Sequence, residues 1–548
     1  MGPWMQSAGL TLLSFAVLIT VLVFFHEMGH LLVGKFFGVK ILRFSIGFGP
    51  RLFGFVRGET EYRFSLLPLG GYVKFAGDVP GEELPPEDRG RGFLEQRPGV
   101  KAAIAFAGPA ANFVLAALIF FAINAVPHKE YAAVVGQVKP GSPAAQAGVL
   151  PGDRVEAVDG EPVVGFGAFQ EKIRARPGKP LALSVVREGE RLTLRITPAV
   201  HEEKNPLETV RHGRIGIALK PRLAEVTVVG PDAPAARAGL RTFDLVTRMD
   251  GQPVASWEDL AKKLAARGDA GVTLEVLRRR AVAAPGATLW AQEPLRIALP
   301  SARDAGLEAA DLTVFGVQHG SAAQEAGLLR GDRIVSVDGR EVIWWTDEVE
   351  AARRAAGATP MQFVVRRDGQ LVTLTVRQQL RAARDEAGVR VQVPELGAEP
   401  DLAIFDGKAE IVTVRFGLGE AALRGIAGTG EAIRGMALGL AKIVTGKISS
   451  EAIGGPIMIA DVARKAADEG WMSFLTVMTM ISISLGLMNL IPIPVLDGFH
   501  MLSAGIEAVR RRPLSLRFRE IANVVGVALV LSLMLFALKN DAVRKFFD

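Results

Sequence analysis

Four stretches of this chain are apolar with little interruption: 8–25, continuing through 34, then 102–126, 473–496 and 521–538. Each is close to the ~20 residues a helix needs to cross a bilayer's hydrocarbon core. Between the second and third, the pattern changes to short alternating runs broken by D-G and E-G pairs, the signature of hairpin-rich soluble domains. The first stretch has no basic leader and no small-residue cleavage site after it, so it reads as a membrane helix rather than a signal peptide. Pro492 and Pro494 lie inside the third stretch and cannot donate backbone hydrogen bonds, so the helix is expected to break there.

Four crossings place both termini on one side. Arg510, Arg511, Arg512, Arg517 and Arg519 lie between the third and fourth. Lys35, Lys40, Arg43, Arg51 and Arg57 lie between the first and second. The positive-inside rule assigns both segments to the cytoplasm. The section from about 130 to 470 and both termini are then expected to be extracytoplasmic. The net charge of +6 over 548 residues, with no concentrated basic tract, argues against nucleic-acid binding. There are no cysteines, so a metal site here must use His, Asp or Glu.

The middle section contains a repeat. Residues 141–160, 232–251 and 320–339 align without gaps: GSPAAQAGVLPGDRVEAVDG, DAPAARAGLRTFDLVTRMDG and GSAAQEAGLLRGDRIVSVDG. The interval of roughly 90 residues suits a small domain, not a solenoid. A β-rich run precedes each copy, and an amphipathic helix follows at 166–175, 256–266 and 346–356. Glu188-Gly189 and Asp368-Gly369 mark hairpin turns in the first and third copies. The pattern resembles PDZ domains of the protease-associated type, whose sheet edges take up extended peptide. The second copy departs, with Phe243 where the others have Gly152 and Gly331.

The first apolar stretch ends in Phe25-His26-Glu27-Met28-Gly29-His30. On a helix, positions i and i+4 share a face, so His26 and His30 can converge on one ion, with Glu27 beside them to activate water. Ionisable side chains within a membrane helix are costly and mark function by default. A catalytic zinc takes three protein ligands and keeps one position open. Asp497, directly after the proline break, is the candidate for the third; its alternative is a helix N-cap at the membrane edge.

HEMGH at 26–30 and NLIPIPVLDG at 489–498 resemble the HExxH and N-x-x-P-x-P-x-L-D-G elements of the site-2 protease family, intramembrane zinc metalloproteases, in its bacterial RseP-like branch. Gly108-Pro109-Ala110-Ala111-Asn112-Phe113 matches the family's G-P-x-x-N-F, and Gly455-Pro456 resembles another family signature. The resemblance spans nearly the whole chain. Phe499 stands where the family usually has a second Gly, and the family does not use His500 as a ligand. The resemblance implies His26, His30 and Asp497 as zinc ligands and Glu27 as catalytic base. It further implies a cytoplasmic-side β-hairpin region, with the strand-like run 60–67 and Gly70-Gly71-Tyr72, beside the active site. Asn489, Asn112, Gly70 and Gly71 are the candidate substrate-binding residues; for Asn489 a capping or interhelical amide is the alternative.

The expected fold is a multi-domain membrane protein with a four-helix α-helical core. The layout is a first membrane helix over 1–37, the membrane-associated β region over 38–101 and a second helix over 102–127. PDZ-like domains follow over 128–200, 212–300 and 308–380. A connecting region over 381–470 carries an amphipathic surface helix near 430–445, and the last two membrane helices fall at 472–508 and 520–540. The implied activity is cleavage of transmembrane segments in a bacterial inner membrane, with PDZ domains gating access. Implied partners are anti-sigma factors, signal-peptide remnants, an upstream protease that trims the substrate first, and the lipid bilayer. The competing reading is a membrane-anchored PDZ scaffold with a vestigial metal site.

Overall fold

The computed structural model describes residues 3–79, 82–204, 207–284, 287–384 and 390–546. The chain divides into two compact units, one of residues 1–127 and 415–548, the other of residues 128–385 and 390–414.

The first unit is helical around a small sheet. Helix α1 (Pro3–Phe36) leads into strands β1 (Ile41–Arg57) and β2 (Thr60–Phe75), then α2 (Pro98–Ala125). After the second unit come α3 (Leu418–Val444), α4 (Pro456–Glu469), α5 (Trp471–Asn489), α6 (Asp497–Arg510) and α7 (Leu516–Phe546). Among the described residues four helices are long and apolar enough to cross a membrane: 9–36, 98–125, 471–489 and 517–545. Their leucines, phenylalanines and valines remain largely exposed on one side, as Leu12, Val114, Leu118 and Leu535 do, the state expected of surface that meets lipid. The third apolar stretch does not stay helical to 496: α5 ends at Asn489 and α6 begins at Asp497. Helix α3 starts well before the amphipathic stretch anticipated at 430–445, and its Gly425 lies against the α2 backbone at Ala117 and Phe121.

Strand β1 doubles back on itself. Its first half pairs on one side with 61–64 and on the other with 71–75, for example Phe44 with both Tyr62 and Val73. The segment 71–75 is therefore an edge of this sheet, and it runs beside α1.

In the second unit the three copies share one plan. Strands 154–158, 181–187 and 190–196 form the first sheet; 333–337, 361–367 and 370–376 form the third. In the second copy 244–249 pairs with 272–284, which pairs with 287–299. Each core turns inward through alternate residues of the middle strand: Leu181, Leu183 and Val185; Val272, Leu274 and Val276; Met361, Phe363 and Val365. The D-G pairs form two-residue turns with both residues at positive φ, such as Asp159 at 50° and Gly160 at 81°, the I′ geometry that suits strand twist. An ion pair repeats as well. Arg187, Arg278 and Arg367 each grip the buried carboxylate at Asp153, Asp244 and Asp332, at 2.7 Å, 2.7 Å and 2.7 Å. Each also donates to the carbonyl of the glycine that ends the short helix, Gly148, Gly239 or Gly327, at 2.7 Å.

Phe243 takes the left-handed conformation at φ 74°, where Gly152 and Gly331 sit at 92° and 95°. A bulky side chain there is strained. It is held by contact: the ring stacks edge-to-face on Phe315 at 5.1 Å, and the Arg330 guanidinium lies 4.7 Å from its centre. Beside this joint Glu225 is fully buried and paired to Arg279 at 2.8 Å. Burial, with the Asp401 carboxyl next to it, pushes Glu225 up to about 8. The folded chain thus holds this proton more tightly than the unfolded chain does, so stability falls as pH rises between the two pKa values. We predict that the unfolding temperature of this unit, followed in the full-length protein, drops from pH 5 to pH 8, and that Glu225→Gln flattens that dependence. An unchanged slope in the variant would assign the titration to another group.

Candidate metal centre

Helix α1 presents His26 and His30 one turn apart, both nearly buried. Their Nε2 atoms lie 3.3 Å from each other. Asp497, the first residue of α6, brings Oδ2 to 3.1 Å from His26 Nε2 and Oδ1 to 3.4 Å from His30 Nε2. Among the described residues this is the one group of three His, Cys or acidic side chains whose donor atoms converge, all within 4.8 Å of one another.

The break between α5 and α6 delivers Asp497 to this place. Pro492 and Pro494 stop the helical ladder, and the turn is held by Ile493 N–H to Ile491 O at 2.7 Å and Leu496 N–H to Ile493 O at 3.0 Å. Val495 sits at φ 85°, a costly conformation for a β-branched residue, of the kind stored at functional sites. A side chain at Gly526 of α7 would meet the Pro494 carbonyl at 2.3 Å, so α7 packs directly on this turn. Starting a helix at Asp497 also gives its carboxylate the favourable end of the dipole.

Do these residues fit a metal ion? His30 Nδ1 lies 2.7 Å from the carbonyl of Ile104. A carbonyl only accepts, so Nδ1 carries the proton and Nε2 offers a lone pair inward. Asp497 Oδ2 is buried and has no hydrogen-bond partner. The inward lone pair of His30 and the Asp497 carboxylate therefore face one another beside His26 Nε2, an arrangement that a cation among them would stabilise. Two nitrogens and an oxygen are a donor set suited to zinc. The space is kept by a missing side chain: a Cβ at Gly108 would lie 2.3 Å from His30 Nε2 and 2.8 Å from His26 Cε1. Gly29 serves the same approach, since its Cβ would strike the Ala107 carbonyl at 2.2 Å, and small residues let membrane helices come this close.

Glu27 lines the same cavity of about 840 Å³, together with Gly70, Gly71, Tyr72, Asn489 and His500. The backbone of Val73, in the edge segment, hydrogen-bonds the Glu27 carboxylate. Gly71 has no room for a side chain: a Cβ would lie 2.8 Å from Val23 Cγ1 and 3.2 Å from Glu27 Cγ. The edge segment thus reaches the helix face that carries Glu27. Asn489, the last residue of α5, has Nδ2 3.3 Å from His26 Nε2, at the rim of the metal position. Asn112 is different. It is fully buried, faces His26 Nδ1 at 3.3 Å, and does not line the cavity. His500 borders the cavity but stands edge-on to Phe93, 6.1 Å between ring centres, outside the converging donors.

A profile of peptidase family M50 matches residues 14–533. The chain belongs to peptidase family M50. It is 31% identical, over 98% of its length and 99% of the other, to a protein of Ralstonia nicotianae named as a zinc metalloprotease. It is 29% identical to the regulator of sigma-E protease RseP of Salmonella typhimurium, covering 97% of this chain and 98% of that one. The regulator of sigma E protease RseP of Escherichia coli K12 is 28% identical over 97% and 98%. The protein is accordingly a membrane zinc metalloprotease of the site-2 type. This M50 chain also carries a buried charge cluster that sequence reasoning passed over. Glu507 of α6 pairs with Lys101 of α2 and Arg519 of α7 and accepts from the Leu514 N–H at 3.1 Å. It ties α2 and α7 to the helix that bears Asp497. The only signal in the sequence was the presence of charges bordering apolar runs, and nothing there pairs them.

Two outcomes are expected. Gly108→Ala should cut zinc retention at least 100-fold, read by chelator competition, because the added methyl enters the space between the imidazoles. Glu507→Ala leaves the buried Lys101 and the half-buried Arg519 without this carboxylate and should destabilise the membrane unit by about 3–5 kcal/mol, seen as earlier thermal aggregation in detergent.

Proposed function

We propose that His26, His30 and Asp497 hold a zinc ion at which this protease hydrolyses a peptide bond, with Glu27 as general base. The observation that carries this is the convergence, within 4.8 Å, of possible ligand atoms of His26, His30 and Asp497 from α1 and α6. A zinc ion held by these three residues would supply Lewis acidity, polarising a carbonyl and making a water more acidic. Glu27 takes the proton from that water at its carboxylate and passes it to the departing amine nitrogen. The edge segment 71–75 turns its outer strand side toward Glu27, whose carboxylate holds the Val73 backbone. A transmembrane substrate must unwind before cleavage, because helical carbonyls are already hydrogen-bonded, and strand addition along this edge would hold it extended. Asn489 stands where it can meet the substrate backbone next to the ion.

The setting we propose is a bacterial inner membrane, with basic segments in the cytoplasm and the three PDZ-like copies extracytoplasmic. Those copies would act as a size filter, admitting substrates whose outer part another protease has already trimmed. Relatives are named for the sigma-E pathway, which makes membrane-anchored anti-sigma factors the first substrates to test, followed by signal-peptide remnants.

Glu27→Gln should keep zinc near one per chain while lowering cleavage of a model transmembrane substrate by roughly 10²–10⁴-fold. Asp497→Asn should lower zinc content and cleavage together; full proteolysis in that variant would remove Asp497 from the ligand set. Reporter fusions near residue 300 should read extracytoplasmic, and a cytoplasmic signal would invert the topology.

A further inference from the structure

A ring nitrogen that binds a metal needs a lone pair, and a neutral imidazole has one N–H to place on the other nitrogen. His30 meets this demand through the Ile104 carbonyl. His26 must meet it too. Its Nε2 faces His30, Asp497 and Asn489, so its proton belongs on Nδ1. The polar group facing Nδ1 is the side-chain amide of Asn112, with Nδ2 at 3.3 Å and Oδ1 buried without a partner. With the amine end forward, two N–H donors would oppose each other once Nε2 gives its lone pair to a cation. A half-turn of this near-symmetric amide brings the oxygen forward, where it accepts from Nδ1–H. Either orientation leaves one end of the amide unpartnered, so hydrogen-bond count does not choose between them. The ion does.

We infer that Asn112 is the positioning residue of the metal centre: its amide oxygen fixes the tautomer and ring orientation of His26 as Ile104 fixes those of His30. Asn112 therefore reaches the reaction through His26 and makes no substrate contact. This replaces the substrate-binding role considered for it from the sequence, and it rests on His26 being a ligand. The amide is well braced for such a role. The Asn112 backbone carbonyl accepts from the buried Ser482 hydroxyl at 2.8 Å, and the next residue, Phe113, fills the space over Gly486, so α2 is fixed against α5 at this level. Partners of this kind typically contribute 10–100-fold to metal affinity.

The test uses the full-length protein in detergent, with zinc affinity measured by chelator competition. Asn112→Leu keeps the volume and removes the acceptor; zinc affinity should fall 10–100-fold. Asn112→Asp restores an acceptor with no donor and should hold zinc at least as tightly as the native protein. Leu binding like native, or Asp failing as badly as Leu, overturns the inference. A third readout needs no variant. In the cobalt-loaded native protein, proton NMR should show two paramagnetically shifted ring N–H signals that exchange slowly, one from each histidine, and a single protected signal overturns the inference. If native protein binds no zinc, the ligand reading itself has failed; if it binds normally and the variants behave alike, only the role of Asn112 has.

Discussion

The membrane unit is organised by one electrostatic requirement: the donor atoms of His26, His30 and Asp497 converge on a common point. Without a positive charge at that point their mutual repulsion, in a medium of low dielectric, would push the helices that carry them apart. With a divalent ion the same arrangement becomes attractive. The close contact of α1 with α2 through Gly29, the empty place at Gly108 and the Ile104 carbonyl on His30 all have meaning only in relation to that point.

Bringing a carboxylate to it requires backbone that is not helical at membrane depth, which is tolerated only where protein surrounds it. The chain supplies the surroundings from several directions. Gly526 of α7 lies on Pro494, the Leu490 and Ile491 carbonyls close over Gly498, and the Lys101–Glu507–Arg519 cluster pins α6 a few turns further on. The buried Asp541 near the end of α7 accepts from the N–H groups of Gly455, Ile457 and Met458 at the start of α4. That carboxylate caps an otherwise open helix terminus and gives the Gly455-Pro456 pair a structural reason. Helix α7 is thus fastened at both ends while its middle borders the cavity through Asn523 and Val527.

What the sequence disclosed was what depends on local spacing. Two histidines four apart on an apolar helix, a pair of prolines before an aspartate, and D-G pairs between alternating runs each predict geometry within a few residues. What it hid was what depends on which helix faces which. No spacing rule joins Lys101 to Glu507 across about 400 positions or tells that Asn112 looks at His26 from beneath while Asn489 looks from the rim. Both asparagines sit in apolar helices and carry the same amide. Only packing gives one a ring nitrogen to orient and the other a cavity to border.

The repeat carries the same lesson at a larger scale. Read as a string, the second copy looks damaged, because Phe243 stands where a left-handed glycine is wanted. In the folded unit that residue is buried against Ala310 and Ile404, with Phe315 across it and Arg330 on its face. The strain of a left-handed phenylalanine is of order 1–3 kcal/mol, and burying a ring of that size contributes about 1.5–3 kcal/mol in return. The nearby Glu225, Arg279 and Asp401 link the second copy's strands to the segment that follows the third. The exchange of glycine for phenylalanine has therefore turned a turn position into a joint. The second and third copies share buried surface and buried charge across it, and they cannot behave as independent beads.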